Sequence, residues 1–194
     1  MTHGPFLSKG GKGLSSDTFA LVRSDRERAE FQEFFELHYR PLGRFAYLLT
    51  GDPHEADDLV ADVFADAWRH WDRVSAAAEP LAYVRRMVVN LAATRVRSLV
   101  RDRRRGRDLG VFAREHGHEP DVAALVDLRA ALQALPLRKR ACVVLRHVLE
   151  LSEAETAEVL GISVGTVKSQ TSRGVSELQE RLRAAAPAGG REGR

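Results

Sequence analysis

The chain has 194 residues, 44% of them hydrophobic and 29% charged, with a formal net charge of +3 and one cysteine. That is enough for one large or two small domains with ordinary cores, and the slight positive excess favours a polyanionic partner. No apolar run approaches the roughly 18 residues that span a bilayer, and no apolar signal core opens the chain. The expectation is therefore a cytoplasmic protein without membrane insertion.

Residues 1–24 are rich in Gly, Ser and Lys, show no period and read as a flexible N-terminal segment. The piece Ser8–Gly13, SKGGKG, lacks the spacing of a phosphate loop and any preceding strand. Helical patterning begins near Asp25, with Phe31, Phe34, Phe35 and Tyr39 on one side. Pro41 is read as the start of a second helix carrying Leu42, Phe45, Leu48 and Leu49, which stops at Thr50-Gly51.

Asp52 and Pro53 open the next helix, expected to run to about Trp71. Its apolar stripe is Ala56, Leu59, Val60, Val63, Phe64, Ala67, Trp68 and Trp71. Glu55, Asp58, Asp62 and Asp66 form an acidic stripe. Such a stripe is ordinarily a solvated face; being acidic it repels DNA, so a partner here would be a protein. His54 beside Asp57 and Asp58 has no second histidine at ligand spacing, so no metal is expected.

After a loop over 72–79, Pro80 begins a long helix reaching about Arg104. Leu81, Val84, Val88 and Leu91 face a core, while Arg86, Asn90, Arg97 and Arg101 share one narrow opposite stripe. Arg95 falls on the apolar side, where the core has ended or its stem snorkels. Arg101, Arg103, Arg104, Arg105 and Arg107 make the end of this helix strongly cationic.

Residues 106–121 lack periodicity and read as a flexible linker. Patterning resumes with Val122, Leu125, Leu128, Leu132 and Leu135, stops at Pro136, and returns in a helix over Leu137–Leu149. Cys142 sits in the apolar run 141–145 and reads as a small core residue; as the sole cysteine it excludes an internal disulfide and a cysteine zinc cluster.

The second half turns on the stretch 152–182. Ser152 and Glu155 make a capping box, and Gly161 supplies the left-handed residue that ends the first helix. Ile162 buries the turn and Ser163 caps the next helix. Val164, Val167, Thr171, Val175, Leu178 and Leu182 form its core face. Thr166, Lys168, Ser169, Gln170, Ser172 and Arg173 form the opposite face, short, polar and cationic, suited to phosphates and base edges. Small Ala157, then Gly161, then Val167 match the spacing of a DNA-binding helix-turn-helix. The tail, 184–194, is low in complexity and reads as flexible.

This pattern gives an all-α fold of two small helical domains joined by a flexible linker. An enzyme is disfavoured: there is no nucleophile–base signature, intact phosphate loop or metal-ligand cluster, and nothing asks for a cofactor. A plain helix-turn-helix regulator explains the second domain but leaves the acidic helix and the Arg/Asn stripe of the first unexplained.

Four pieces, ADDLVADVFADAW (56–68), YVRRMVVN (83–90), LPLRKRACVVLR (135–146) and LSEAETAEVLGISVGTVKSQTSR (151–173), resemble bacterial extracytoplasmic-function sigma factors, with a flavour of the actinobacterial SigE-like branch. The resemblance implies that residues 25–105 are sigma region 2 and residues 122–183 are region 4. It implies that Asp58, Leu59, Asp62, Val63 and Phe64 dock on the clamp helices of core RNA polymerase, whose flap is a further contact. Arg86, Asn90 and Arg97 would then read the single-stranded −10 element, with Asn90 helping to hold a flipped base. Thr166, Lys168, Ser169, Gln170 and Arg173 would read the duplex −35 element. An anti-sigma factor is a further candidate partner. The sequence departs from the family at Ala61, where many relatives have Gln, at Thr94, where Asp is frequent, and at Gln170, where the wider group has Arg.

Overall fold

The computed structural model of the protein describes residues 24–104 and 120–185. The expected N-terminal segment, linker and tail lie outside these residues, apart from the few at their edges that join helices. Every regular element among the described residues is a helix: α1 (Asp25–Thr50), α2 (Pro53–Arg69), α3 (Trp71–Ser75), α4 (Pro80–Arg104), α5 (Pro120–Gln133), α6 (Leu137–His147), α7 (Glu153–Leu160) and α8 (Val164–Ala185).

Ser24 begins α1 with a capping box: Glu27 N–H donates to its hydroxyl at 3.3 Å, and the Glu27 carboxylate accepts from its N–H at 2.8 Å. One helix, not two, then runs through Pro41 to Thr50, where Gly51 stops it at φ 79°. Proline removes one backbone donor and costs about 3 kcal/mol inside a helix. Its would-be acceptor residue, Leu37, is 65% exposed, and Pro41 is also on the solvent side. On the other side Phe34, Phe35, Tyr39, Leu42, Phe45, Ala46 and Leu49 keep one apolar face in phase across the proline. Burying each large side chain contributes about 1.5–3 kcal/mol, so packing outweighs the lost bond.

Asp52 caps α2 by accepting from Glu55 N–H at 2.9 Å, with Pro53 in the first turn. The helix ends at Arg69, short of the expected Trp71, because His70 caps it and a short helix, α3, starts at Trp71. This lets the Trp71 ring turn into the core, 5.2 Å from Phe31 and 5.3 Å from Phe34 between ring centroids. Val84, Val88 and Ala92 of α4 close the bundle over Leu59, Val60, Val63 and Phe64. Phe31, Phe35, Tyr39, Phe64 and Trp68 form an aromatic layer, Phe35 meeting Phe64 edge-on at 4.9 Å.

In the second module α5 and α6 pack with α8, and α7 lies across it. The Ser152–Glu155 box caps α7, and Gly161 at φ 62° ends it, with Ile162 N–H reaching back to Ala157 O at 3.1 Å. Gly174 is buried in the middle of α8, and a Cβ there would lie 2.7 Å from Val143 Cγ2 of α6. A mid-helix glycine costs about 0.5–1 kcal/mol, and here it lets two helix backbones approach closely.

The two modules share one hydrophobic cluster: Leu132, Leu135, Ala141, Val144, Leu145 and Val159 join the core of α1–α4. Their polar contacts converge on the C-terminus of α1, whose last turn holds no basic residue. Arg129 donates to Gly51 O, Arg140 to Leu49 O, and Gln133 Nε2 to Leu48 O at 3.1 Å. The last carbonyls of a helix have no partner within it, so these donors fill an obligatory role.

Candidate nucleic-acid and partner interfaces

The turn of the helix-turn-helix sets the face of α8. Thr166 N–H donates to Ser163 Oγ at 3.2 Å, and Val167 is fully buried against the core. That rotation leaves Lys168, Ser169 and Arg173 exposed, with Thr166 and Gln170 half-buried. Lys168 Nζ lies 3.4 Å from Glu153 Oε2 at the start of α7. Val164, expected in the core, is 40% exposed because it opens the helix at the rim. The Glu155 carboxyl is held below its usual range by the Ser152 hydroxyl, then by the Ser152 backbone, with Arg85 and Arg146 adding attraction.

On α4 the structure leaves Arg86, Asn90 and Arg97 exposed in a row. Thr94 donates its hydroxyl to Asn90 O at 3.1 Å, and Arg97 Nε donates to Ala93 O at 3.1 Å. The end of this helix beyond Arg97 lies outside the described side chains, and with it the expected cationic cluster.

The face of α2 differs from the expectation in two ways. Of the five residues read as partner contacts, Asp58 and Asp62 are exposed, but Leu59, Val63 and Phe64 lie in the core under α1 and α4. Their positions on the helical period put them on the buried side, so they support the acidic face instead of offering surface. Arg95, whose place on the apolar side fits either the end of the core or a snorkelling stem, bridges α4 to α2. It donates to Asp62 Oδ2 at 2.5 Å and to Glu55 O at 3.3 Å, with Glu55 Oε2 at 3.5 Å. No local pattern signals this pair; only its position on the apolar stripe hinted at it.

Two further residues escaped the sequence reading. Arg140 is 5% exposed and donates to Leu49 O, Leu135 O, Gln133 O and Gln133 Oε1; burial pushes its guanidinium down to about 10. Gly174 carries the close approach of α8 to α6. Cys142 lies in the core as expected, its thiol pushed up to about 11 by burial, which leaves it unreactive. Among the described residues no group of three His, Cys, Asp or Glu is placed to hold a metal ion, and no helix is long and apolar enough to cross a membrane.

The Arg/Asn face and the recognition face meet. A cleft of about 740 Å³ is lined on one wall by Asn90, Thr94 and Arg97 and on the other by Leu160, Thr166 and Gln170. Arg86 lies over the helix-turn-helix turn, where a Cβ on Gly161 would be 2.5 Å from its Nη2.

Residues 34–104 match the family model for sigma-70 region 2, and residues 125–178 match that for sigma-70 region 4. The chain is 31% identical over 161 residues to an RNA polymerase sigma-E factor of Streptomyces avermitilis, covering 80% of this chain and 87% of that protein. It is 30% identical over 191 residues to the extracytoplasmic-function sigma factor SigM of Mycobacterium tuberculosis, covering 92% and 90%. Among solved structures it is similar to the sigma factor RpoE in complex with the anti-sigma factor NepR from Bartonella quintana, with a TM-score of 0.65 and 27% identity over 80% of this chain and 98% of that one. The fold is also that of CnrH in complex with the cytosolic domain of CnrY, at a TM-score of 0.60 and 23% identity over 88% and 96%.

Proposed function

The chain belongs to the extracytoplasmic-function sigma factors of the sigma-70 family, and we propose that its modules divide promoter reading between single-stranded and duplex DNA. A sigma factor binds core RNA polymerase and directs promoter recognition, strand opening and initiation at a specific set of promoters. It supplies specificity and leaves bond chemistry to the polymerase, so it acts in the cytoplasm, where promoters and polymerase are.

In this reading α4 serves the −10 element. Extruding a base costs a few kcal/mol of unstacking, which a preformed site must offset. The Asn90 amide offers both a donor and an acceptor to a base edge, and Arg86 and Arg97 offer charge to the flanking phosphates. The α8 face serves the −35 element from the major groove. Gln170 suits adenine, where Arg would suit guanine, so this chain selects a different −35 sequence from Arg-bearing relatives. Lys168 and Arg173 reach phosphates or purine edges, with Thr166 and Ser169 beside them. On α2, Asp58 and Asp62 carry the contact with the polymerase clamp helices, held in place by Leu59, Val63 and Phe64 beneath. An anti-sigma factor is the further partner suggested by the solved relatives.

The observation that carries this reading is the presentation of α8: Val167 is buried while Lys168, Ser169 and Arg173 stand exposed on the far side of the same helix. The test is run-off transcription with core polymerase on genomic fragments, followed by mapping of the start sites. Transcripts starting at a shared pair of upstream elements are expected. Sequence-specific DNA binding without any polymerase-dependent transcript would instead favour a simple helix-turn-helix regulator.

A further inference from the structure

Two cations stand exposed on the recognition face of α8, and their surroundings differ. Lys168 Nζ lies 3.4 Å from Glu153 Oε2 in the first turn of α7, with the two side chains 62% and 38% exposed. Arg173 makes no ion pair among the described residues. Lys168 also sits near the start of α8, the part of a recognition helix that reaches base edges.

The fold does not require this pair. Ser152 and Glu155 already cap α7: Ser152 N–H donates to the Glu155 carboxylate at 2.7 Å, and Glu155 N–H donates to Ser152 Oγ at 3.2 Å. An acidic first turn suits the helix dipole whichever way its side chain points. An exposed ion pair adds little to stability. The effect of Glu153 therefore falls on what Lys168 does at DNA. A lone ammonium is drawn to any phosphate, and neutralising that phosphate releases a counterion whatever the sequence. With a carboxylate beside it, the ammonium brings no net charge to the backbone. Leaving for a phosphate would strand Glu153 in front of a polyanion. A guanine edge is different. Its O6 and N7 are uncharged acceptors, and an ammonium has three N–H donors, enough for both while the carboxylate stays beside it.

We propose that Glu153 is a specificity-determining residue of the −35 reader, a positioning residue that keeps Lys168 off the phosphates and directs it to a guanine edge. The proposal rests on the promoter-reading role of α8 given above, and it decides between phosphate and base for Lys168. Glu153 weakens binding to every duplex by one backbone contact. Only a duplex that offers a guanine at the right position restores a partner to Lys168. Discrimination then comes from weakening the wrong complexes as well as from strengthening the right one. Arg173, without such a carboxylate, supplies the charge that does not depend on sequence.

The test uses holoenzyme assembled with the full chain as wild type, Glu153→Gln, Lys168→Ala, Arg173→Ala and the double variant Glu153→Gln with Lys168→Ala. Binding is measured across salt concentrations on promoter duplex, on the same duplex with a scrambled −35 element, and on a panel substituted at each −35 position. Glu153→Gln keeps the size of the side chain and leaves the Ser152–Glu155 cap in place, so helix content should match the wild type. Its salt slope should steepen by about one unit as Lys168 gains a phosphate. At 0.1 M salt one released counterion is worth roughly eightfold, so affinity for the scrambled duplex should rise by about that factor. Preference for the promoter should fall accordingly. The guanine position that relaxes in Lys168→Ala should relax in Glu153→Gln as well. In the Lys168→Ala background, Glu153→Gln should change neither slope nor preference. An unchanged slope in Glu153→Gln overturns the proposal. So does an equal rise on promoter and scrambled duplex, or an effect that persists without Lys168. Wild-type binding by both Lys168→Ala and Arg173→Ala would reject α8 as the −35 reader and overturn the proposal with it.

Discussion

Arg95 donates to the Asp62 carboxylate at 2.5 Å, tying α4 to the acidic face of α2. The pair makes Asp62 a structural residue as well as an exposed charge, while Asp58, one turn earlier, makes no such tie to α4 among the described residues. The two carboxylates therefore separate by substitution. Asp58→Arg should weaken binding to core polymerase and leave thermal stability unchanged. Asp62→Arg should weaken binding and also lower the melting temperature by a few degrees, since losing a partly buried ion pair costs about 1 kcal/mol. Copurification with polymerase and a melting curve read the two effects independently; normal copurification of both variants would move the docking surface off α2.

Lys168→Ala and Arg173→Ala should weaken promoter binding without unfolding the second module, because both side chains leave the buried face of α8. A lost phosphate contact lowers affinity evenly across sequences and reduces the salt slope by about one unit. A lost base contact costs about 1–3 kcal/mol and relaxes one promoter position. Binding isotherms of holoenzyme at several salt concentrations distinguish these outcomes, and no change in either variant would reject this face.

Asn90→Ala should reduce strand opening while leaving duplex contact at the upstream element largely intact. Gln170→Ala should weaken upstream engagement. Permanganate reactivity of promoter thymines beside upstream footprinting, at one salt concentration, reads both. A pre-melted bubble should partly rescue Asn90→Ala, because the unstacking cost has been removed, and should recover little for Gln170→Ala. Equal loss of both signals in both variants would argue against a division of labour.

Gly174→Ala should destabilise the second module despite the higher helix propensity of alanine. The added methyl would sit 2.7 Å from Val143 Cγ2, so α6 and α8 must move apart. Overpacking of this kind costs about 1–3 kcal/mol, against a propensity gain of about 1 kcal/mol. Val143→Ala in the same chain should recover part of the loss. Urea denaturation measures both, and a Gly174→Ala variant more stable than wild type would contradict the close approach.

His38 gives the first module a pH dependence. Burial, and then the nearby Arg85, lowers its pKa below 6.5, and its ring packs 4.5 Å from Phe34. The unfolded chain takes up the proton at a higher pH than the folded one, so unfolding gains from acid. The contribution of neutral His38 to stability is full above about pH 6.5 and is lost as pH falls through the folded value. His38→Gln should flatten the dependence of the urea midpoint on pH between pH 7.5 and 5; an unchanged slope would place the titrating group elsewhere.

The sequence by itself determined the local events. The capping box at Ser152, the left-handed Gly161, the start of α4 at Pro80 and the exposed and buried faces of α8 depend on residues within a turn or two of each other. Their physics is complete in a short window, and so was the resemblance that rested on them. Where the outcome depended on partners distant in the chain, the window was not enough. Pro41 does not break α1, because the apolar face on both sides packs against α2 and α4. Arg95 finds Asp62 across 33 positions, and Arg140 finds Leu49 across 91. Gly174 is explained by Val143 on another helix. The tertiary structure alone decided that the two modules share a core and that Asn90 and Gln170 line one cleft, because burial and helix-end hydrogen bonding are satisfied by whatever the fold brings near, whatever its distance along the chain.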